Sequence, residues 1–364
     1  MIVHLIGENI ICKDYYRLIA DHFPKEEHCF LVKDAESNDY RVHIPKEARS
    51  KGLPSLYPIL SLDGIRSLYA AKGIVAHGLF GTYKLAFLAM QPWLLSKCNW
   101  AVWGGDLYCH EKPDKTVEDR IRETLRHFIV PKMGFVSTVL KKDYDLAQSW
   151  YGAKGRNFDI SYPSSMQRPG VLSRVRERQN LNRETINVLI GNSATLSNKH
   201  FEALDMLSKY SNENIHLFLP LNYGEGDYAS YADEVERYAI RLFGQEKVTA
   251  FRRLIDQEEY VEIMRKMHIA VFNNDRQQAM GNIGILMAIG AKIYLRNDTN
   301  MWEHYRDRGC IVNDCDSIPF LSFEEFSHQS DSITDKNSEI ILSFLDPNVL
   351  ASKWRIVFEG MTKA

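Results

Sequence analysis

The stretch FNNDRQQAMGNIGILMAIGAKIYL, residues 272–295, joins an apolar strand, a polar turn, a glycine-bearing helix start and a second strand. A helix that opens near Gly281 and Asn282 directs unpaired backbone N–H groups and the positive end of its dipole at one point. This arrangement favours an anionic ligand, and Arg276 places a cation a few residues earlier. The alternative is an ordinary strand–loop–helix unit, in which the glycines only let the helix pack closely on the sheet.

Strands and helices alternate along the rest of the chain as well. This alternation is typical of β-α units stacked around parallel sheets. Two series of six strands are predicted, near residues 2, 28, 73, 99, 134 and 158 and near residues 186, 215, 248, 269, 292 and 310. Helices are predicted around 61–71, 82–96, 116–130 and 141–150, and then around 198–210, 228–243, 257–267, 281–290 and 300–308.

The two series predict an α/β protein with two Rossmann-like domains. The predicted parts are a first domain, a linker, a second domain and a tail, at 1–165, 166–185, 186–345 and 346–364. The linker is polar and basic and contains Pro169 and Gly170. The tail reads as an amphipathic helix after Pro347, with Leu350 and Trp354 on one face, that can cross back onto the first domain.

The composition is that of a soluble protein. The chain has 364 residues, of which 45% are hydrophobic and 25% charged, enough for two domains. The sequence shows no basic leader and no apolar run near the ~20 residues that span a bilayer, so we expect a cytoplasmic protein. The six cysteines are scattered without CxxC pairs, which favours free thiols over zinc ligands.

The net charge of −2 hides an asymmetry between the two halves. Residues 1–184 carry 27 Lys+Arg against 21 Asp+Glu, whereas the remainder carries 18 against 26. A basic first half suggests a surface that meets phosphates or anionic lipid. Solvated helix faces would give the same count.

Candidate catalytic residues stand at the ends of two strands in the first half. The strand GIVAHG ends at His77, and NWAVWG is followed by Gly105 and Asp106. Parallel strands end at the same sheet edge, where ligands bind in such folds. A histidine and a carboxylate there suit the removal of a proton from an attacking hydroxyl. Alternatively, His77 is a satisfied buried histidine and Asp106 caps a short turn.

The second half offers a candidate ligand loop after its first strand. Gly191, Asn192 and Ser193 follow the strand INVLI, and Tyr223 follows the next strand. Their side chains and nearby amides suit a phosphate or a sugar hydroxyl. In the alternative, Ser197 simply caps the following helix.

The sequence favours catalysis without a metal or another cofactor. Asp314 and Asp316 form a D-x-D pattern, but Asp143 and Asp145 repeat it inside a predicted helix, so the pattern has little specificity. No GxxxxGK[ST] motif occurs, and no GxGxxG follows the first strand, which argues against ATP and dinucleotide binding.

Several short motifs, taken together, resemble a known family. They are HG at His77, WGGDLY from Trp103, GNS from Gly191 followed by SNKH, P-x-x-Y ending at Tyr223, RQQ-x-x-G from Arg276 to Gly281, and NMW ending at Trp302. The chain is similar, over most of residues 70–310, to the bacterial TDP-4-acetamido-4,6-dideoxygalactose transferases of enterobacterial common antigen synthesis, also classed as 4-α-L-fucosyltransferases.

The resemblance implies the GT-B glycosyltransferase fold, with a nucleotide-sugar donor on the second domain. It implies an undecaprenyl-diphosphate-linked acceptor glycan on the first domain, at the inner face of the cytoplasmic membrane, and no nucleic-acid partner. By the same resemblance, the donor site comprises Gly191, Asn192, Ser193, Tyr223, Arg276, Gly281 and Asn282. His77 and Asp106 become acceptor-side or catalytic residues.

Other functions are compatible with the same sequence. A sugar-nucleotide 2-epimerase or hydrolase shares the fold. A non-catalytic carbohydrate-binding protein would need only a second domain that has no donor activity. Segment 115–142 bears on the acceptor, because Arg120, Arg122 and Arg126 alternate there with apolar residues at helical spacing. This pattern indicates an interfacial helix that meets anionic lipid or the acceptor diphosphate. Alternatively, the apolar residues pack the helix on its own sheet.

Overall fold

A computed structural model describes residues 1–6, 10–32, 62–163, 173, 175, 183–224, 227–253 and 255–363. The chain divides into two compact units, Met1–Ser164 with Pro347–Ala364, and Ser165–Asp346. Each unit contains a six-stranded parallel sheet. The predicted fold class, α/β with two Rossmann-like domains, is confirmed. Most of the predicted linker, 166–185, lies outside the described residues.

Unit 1 has the strand order β2-β1-β3-β4-β5-β6. Its strands are β1 (Ile2–Ile6), β2 (His28–Val32), β3 (Gly73–His77), β4 (Cys98–Ala101), β5 (Phe135–Thr138) and β6 (Arg156–Asp159). Its helices are α1 (Ile10–His22), α2 (Leu62–Ala70), α3 (Thr82–Ala89), the short α4 (Gly105–Tyr108), α5 (Val117–Ile129) and α6 (Lys141–Tyr151).

Unit 2 has the strand order β12-β11-β10-β7-β8-β9. Its strands are β7 (Ile186–Ile190), β8 (Ile215–Pro220), β9 (Val248–Phe251), β10 (Ile269–Phe272), β11 (Lys292–Leu295) and β12 (Asn313–Asp314). Its helices are α7 (His200–Leu207), α8 (Tyr228–Phe243), α9 (Gln257–Met264), α10 (Met280–Ile289), α11 (Asn300–Asp307), α12 (Phe323–Ser327) and α13 (Asp331–Phe344).

The last helix, α14 (Pro347–Lys363), belongs to unit 1. Trp354 is fully buried, and its Nε1 donates to the carbonyl of Ser161 at 3.0 Å. Together α1 and α14 cover one face of the first sheet, whereas Leu88 of α3 and Tyr151 of α6 belong to the core on the other face. The predicted return of the tail onto the first domain is confirmed.

Several elements differ from the sequence prediction. The helix expected over 82–96 ends at Ala89, because Pro92 lacks the N–H that would continue it and starts a 3₁₀ turn instead. Helices α1, α4, α12 and α13 were not predicted. The last predicted strand is reduced to Asn313–Asp314. Among the described residues, no helix is long and apolar enough to cross a bilayer.

Candidate active site

The loop after β3 is held through the backbone N–H and the backbone carbonyl of Leu79. The Leu79 N–H donates to Asp106 Oδ2 at 2.7 Å. Its carbonyl accepts from Arg126, at 2.9 Å from Nη2 and 3.2 Å from Nε. Gly78 precedes it at φ +70°, a left-handed conformation that favours glycine. The edge of the sheet beyond His77 is therefore fixed in position by two buried charged side chains.

Asp106 is the centre of this arrangement. It is fully buried. Its Oδ2 also accepts from Trp100 Nε1 at 2.6 Å, and its Oδ1 accepts from the backbone N–H of Trp103 at 2.9 Å. Charge-assisted hydrogen bonds of this kind are strong and directional. The geometry supports a positioning role, in which Asp106 joins the loops after β3 and β4. That Asp106 is the catalytic base stays a prediction.

Arg126 is also internal. Its side chain is 4% exposed and pairs with Glu123 at 2.6 Å. Glu123 in turn accepts from Tyr151 Oη at 2.9 Å. Burial raises the pKa of Glu123, but the hydrogen bonds from Tyr151 and Arg126 outweigh it and leave that pKa below its usual value. This ion pair connects α5 to the carbonyl of Leu79.

The three arginines predicted to face lipid or the acceptor diphosphate are in different environments. Arg126 is used inside unit 1, which does not fit an external role. Arg122 pairs with Glu118 at 2.6 Å and with Asp119 at 3.5 Å. Arg120 is exposed. Of the predicted docking surface, Arg120 is the member whose side chain is most open to solvent.

Both ring nitrogens of His77 are hydrogen-bonded. Its Nδ1 lies 2.6 Å from Tyr162 Oη, and its Nε2 lies 3.1 Å from His4 Nδ1. Burial lowers the pKa of His77 well below the usual histidine value, and the charge of Lys84 lowers it further. The ring is therefore neutral at neutral pH. Tyr162 is partly exposed, so it connects His77 to solvent at the carboxyl edge of the sheet.

Aromatic side chains surround this edge. The rings of Trp103 and Tyr162 lie 5.3 Å apart, and Phe80, which is 43% exposed, lies 6.3 Å from Trp103. The indole N–H of Trp103 has no partner among the described residues. This aromatic surface is suited to a ligand with an apolar face, whereas the Trp103 Nε1 is itself buried and is not presented at the surface.

In unit 2, the Gly191 turn requires a glycine. Gly191 adopts φ +68°, and a Cβ there would lie 2.6 Å from His200 Nε2 and 2.8 Å from Asn198 Oδ1. Asn198 Oδ1 accepts the N–H of Asn192 at 2.9 Å, and Asn198 Nδ2 donates to Ser193 Oγ at 3.2 Å. The N–H of Gly191 donates to Val271 O at 3.0 Å. These amides are already satisfied within the protein, so the loop contributes shape and side chains to a ligand.

The Gly191 loop and the segment after β10 lie together. Asn192 Nδ2 donates to Tyr223 Oη at 3.0 Å, and Asn192 Oδ1 accepts from Asn274 at 3.4 Å. Ser197 Oγ donates to Gln278 Oε1 at 2.9 Å. The interpretation of Ser197 as a helix cap is wrong, because α7 begins at His200 and has no side-chain cap. The structure therefore brings Asn192 and Tyr223 to the loop that carries Arg276.

Helix α10 starts as predicted and is open at its N-terminus. Within the described part of the chain no side chain caps it, and its N-cap Ala279 has φ +58°, which is rare for a residue other than glycine. Gly281 is exposed, whereas Asn282 Nδ2 donates to Tyr260 Oη at 3.0 Å. Backbone strain of this kind often marks a ligand site. The first-turn N–H groups of this helix are therefore a candidate site for an anion.

Four residues of these sites were missed by the sequence prediction. Asn274 lies two residues and Gln278 six residues after the end of β10, so the rule that ligands bind beyond strand ends would have identified them. His4 could have been identified because it is a lone titratable residue inside an apolar strand. Tyr162 follows β6 without a distinctive pattern.

One group of potential metal ligands occurs among the described residues: His110, Glu123 and His127 offer ligand atoms within 4.8 Å of one another. Glu123 already accepts from Arg126 and Tyr151, and Lys115 Nζ lies 3.8 Å from it. Two neighbouring cations oppose the binding of a third.

Solved structures whose chains follow a similar path include glycosyltransferases. They include WaaG, a glycosyltransferase involved in lipopolysaccharide biosynthesis, with a TM-score of 0.62 and 9% identity over 100% of both chains. The α,α-trehalose 6-phosphate synthase from Burkholderia multivorans has a TM-score of 0.65 and 10% identity over 100% of this chain and 96% of that one. A glycosyltransferase from Rickettsia africae has a TM-score of 0.64 and 12% identity over 100% and 98%. At these identities the likeness defines the GT-B fold.

The sequence gives a narrower assignment. Residues 69–359 match the family described as 4-alpha-L-fucosyltransferase, glycosyl transferase group 56. The chain belongs to this family, and it is a glycosyltransferase that uses a nucleotide sugar.

Proposed function

We propose that the protein transfers a deoxyamino sugar, TDP-4-acetamido-4,6-dideoxygalactose or a similar nucleotide sugar, to a polyprenyl-diphosphate-linked oligosaccharide at the inner face of the cytoplasmic membrane. The observation that carries the proposal is the uncapped start of α10 beside the Gly191 loop, in a chain of the fucosyltransferase family. The donor diphosphate binds at this helix start, with Arg276 as its cation.

The geometry supports catalysis by charge stabilisation. Negative charge builds on the diphosphate as the bond from the sugar C1 to the phosphate oxygen breaks. The N–H groups at Gly281 and the guanidinium of Arg276 then bind the leaving group more strongly than they bind the intact donor, which lowers the barrier. In unit 1, Asp106 and Arg126 hold the Leu79 loop at the acceptor side.

A product analysis tests the proposed reaction. The protein is incubated with TDP-, UDP- and GDP-sugars, with and without an extract of polyprenyl-diphosphate-linked glycans, and the products are analysed by mass spectrometry. A lipid-linked glycan lengthened by one sugar is expected. Free sugar without acceptor would indicate a hydrolase, a changed sugar nucleotide an epimerase, and no change in any mixture a binding protein.

Arg276→Ala is expected to weaken diphosphate binding by ~1.5–3 kcal/mol, the strength of a charge-assisted hydrogen bond. Calorimetry with TDP and UDP measures the change. Arg237→Ala, an exposed arginine on α8, is the matched control and should bind like the wild type. Equal affinities for wild type and Arg276→Ala would place the diphosphate elsewhere.

The association with the membrane is supported by the exposed face of α5. Its exposed positions include Val117 at 77%, Ile121 at 46% and Phe128 at 45%, whereas charged Glu123 and Arg126 are buried. An apolar stripe that points outward, beside basic Arg120, is the pattern of a helix that lies in a lipid interface. Leu125 packs against the core and is not part of this stripe.

Lys132 is exposed beside this surface, with its Nζ 3.5 Å from the centre of the Phe128 ring. Removing two cations, by Arg120→Gln together with Lys132→Gln, is expected to reduce binding to phosphatidylglycerol vesicles. Each basic residue near an anionic surface contributes about 1 kcal/mol, so the loss should be about 30-fold at low salt. Co-sedimentation measures it. Arg355→Gln with Lys363→Gln, on α14 at the opposite face of the sheet, is the control. Equal binding by wild type and the first variant would exclude this surface.

A further inference from the structure

A buried chain of hydrogen-bonded rings crosses one face of the first sheet. Tyr162 Oη lies 2.6 Å from His77 Nδ1. His77 Nε2 lies 3.1 Å from His4 Nδ1, and His4 Nε2 lies 3.0 Å from His28 Nδ1. The three histidines are between 0% and 8% exposed. Polar rings are costly to bury unless they are paired, and here each inner nitrogen has a ring partner.

The strand register lays this chain diagonally across the sheet. His28 pairs with Ile2 at the start of β1, His4 lies two residues further along β1, and His77 is the last residue of β3. At ~3.3 Å per residue, the histidines span about 13 Å along the strands. They therefore lead from the amino edge of the sheet to the carboxyl edge, where Tyr162 is partly exposed.

Apolar rings enclose the chain. Phe30 stacks on His4 with a centroid distance of 4.4 Å, and the Phe358 ring lies 4.8 Å from His28. Such rings offer the imidazole nitrogens no competing hydrogen-bond acceptor in the ring plane. Tyr15 Oη also lies near this chain, 3.5 Å from His4 Nδ1.

All three imidazoles are neutral at neutral pH. Burial lowers the pKa of His4 and of His77 well below the usual value, and it lowers the pKa of His28 to about 4. A neutral imidazole has one donor and one acceptor nitrogen. The chain therefore has two self-consistent arrangements: every ring carries its proton on Nε2 and Tyr162 donates to His77, or every ring carries it on Nδ1 and His77 donates to Tyr162.

We propose that Tyr162, His77, His4 and His28 form a proton relay, in which the Tyr162 hydroxyl receives the proton of the attacking acceptor hydroxyl and His28 releases a proton at the other edge of the sheet. The proposal rests on the proposed transferase function. It makes Tyr162 the catalytic residue that touches the acceptor, and it gives His77 the role of passing the proton on.

The relay balances atoms and charge. The acceptor oxygen bonds to the sugar C1 as the bond from C1 to the diphosphate breaks, and the electron pair leaves with the diphosphate. The acceptor proton moves to Tyr162 Oη, and the Tyr162 proton moves to His77 Nδ1. The Nε2 proton of His77 moves to His4 Nδ1, and the Nε2 proton of His4 moves to His28 Nδ1. His28 Nε2 then releases its proton to water. After the product leaves, Tyr162 gives its proton to water and His28 takes one up, which restores the first arrangement.

The resting chain is tested without substrate. Nitrogen-15 spectra of labelled histidine distinguish the two neutral tautomers of each imidazole. At about pH 7, His77, His4 and His28 are expected to be neutral and to carry the proton on the same nitrogen type. Opposite tautomers on two neighbouring rings, or a charged His4, would overturn the relay whatever the transferase activity.

The second test uses His28→Phe and His4→Phe, which remove the nitrogens but keep an aromatic ring. Both are expected to lower kcat by ~10-fold or more with KM unchanged, and to raise the solvent deuterium isotope effect on kcat. Tyr15→Phe, which removes the hydroxyl beside His4 without interrupting the chain, should keep kcat. The melting temperature and donor affinity of each variant verify folding.

His28→Phe is the decisive variant, because His28 is distant from Tyr162. If His28→Phe folds, binds donor and retains the wild-type kcat and isotope effect, the relay does not exist. If the wild type transfers sugar to no acceptor, the proposed function fails, and the tautomer measurement still tests the chain. The two failures are therefore distinguishable.

Discussion

Asp106→Asn is expected to lower the free energy of unfolding of unit 1 by about 3 kcal/mol. The carboxylate accepts three hydrogen bonds, from Leu79 N, Trp100 Nε1 and Trp103 N, with no exposure to solvent. An asparagine has one acceptor oxygen. In either orientation its NH₂ group faces a buried N–H donor, which then loses its partner. Urea denaturation followed by tryptophan fluorescence measures the change.

Asp145→Asn, at an exposed position on α6, is the matched control and should change stability by less than ~0.5 kcal/mol. The two roles for Asp106 predict different results. A positioning residue loses stability, and activity falls with the order of the Leu79 loop. A catalytic base would keep its stability and lose about 100-fold in turnover. Undiminished stability would therefore contradict the role assigned by the hydrogen bonds.

The fold could be predicted because the pattern that encodes it is local. Apolar strands of four to six residues alternate with helical segments, and this periodicity is visible in any short window of sequence. Strand order and register depend on contacts between distant residues. Helix α5 shows the limit. The sequence left open whether its apolar residues face outward or pack on the sheet; Ile121 and Phe128 face outward, and the pair Glu123 and Arg126 is buried. A buried ion pair reverses the usual rule that charged residues face solvent, and the spacing of residues along the helix does not reveal such a pair.

The candidate sites were predicted unevenly for the same reason. The loops proposed for the donor could be located, because Gly191 follows β7 directly, Arg276 lies between β10 and α10, and strand ends meet at one edge. The hydrogen-bond partners of a side chain could not be predicted. Asp106 meets Leu79, 27 residues away, and His4 meets His77, 73 residues away. The sequence contains both residues of each pair, but only the sheet register brings them together.

Gly191→Ala is expected to destabilise unit 2 by about 3 kcal/mol and to reduce donor binding as well. Left-handed backbone costs a residue with a Cβ ~1–2 kcal/mol, and overpacking adds ~1–3 kcal/mol. The added Cβ would displace His200 Nε2, at 2.6 Å, and Asn198 Oδ1, at 2.8 Å. Asn198 then releases the Asn192 N–H, and the side chain of Asn192 loses its fixed position beside Tyr223.

Gly152→Ala separates the cost of backbone strain from the cost of overpacking. Gly152 has the same φ of +68°, but its Cβ would meet only Pro131 Cγ, at an ordinary 3.7 Å. It should therefore cost the ~1–2 kcal/mol of backbone strain and leave donor binding unchanged, because it lies in unit 1. Thermal unfolding and TDP calorimetry of both variants measure the difference. If the two substitutions cost the same and donor affinity is unchanged in both, His200 and Asn198 accommodate the methyl group, and the Gly191 turn does not shape the donor site.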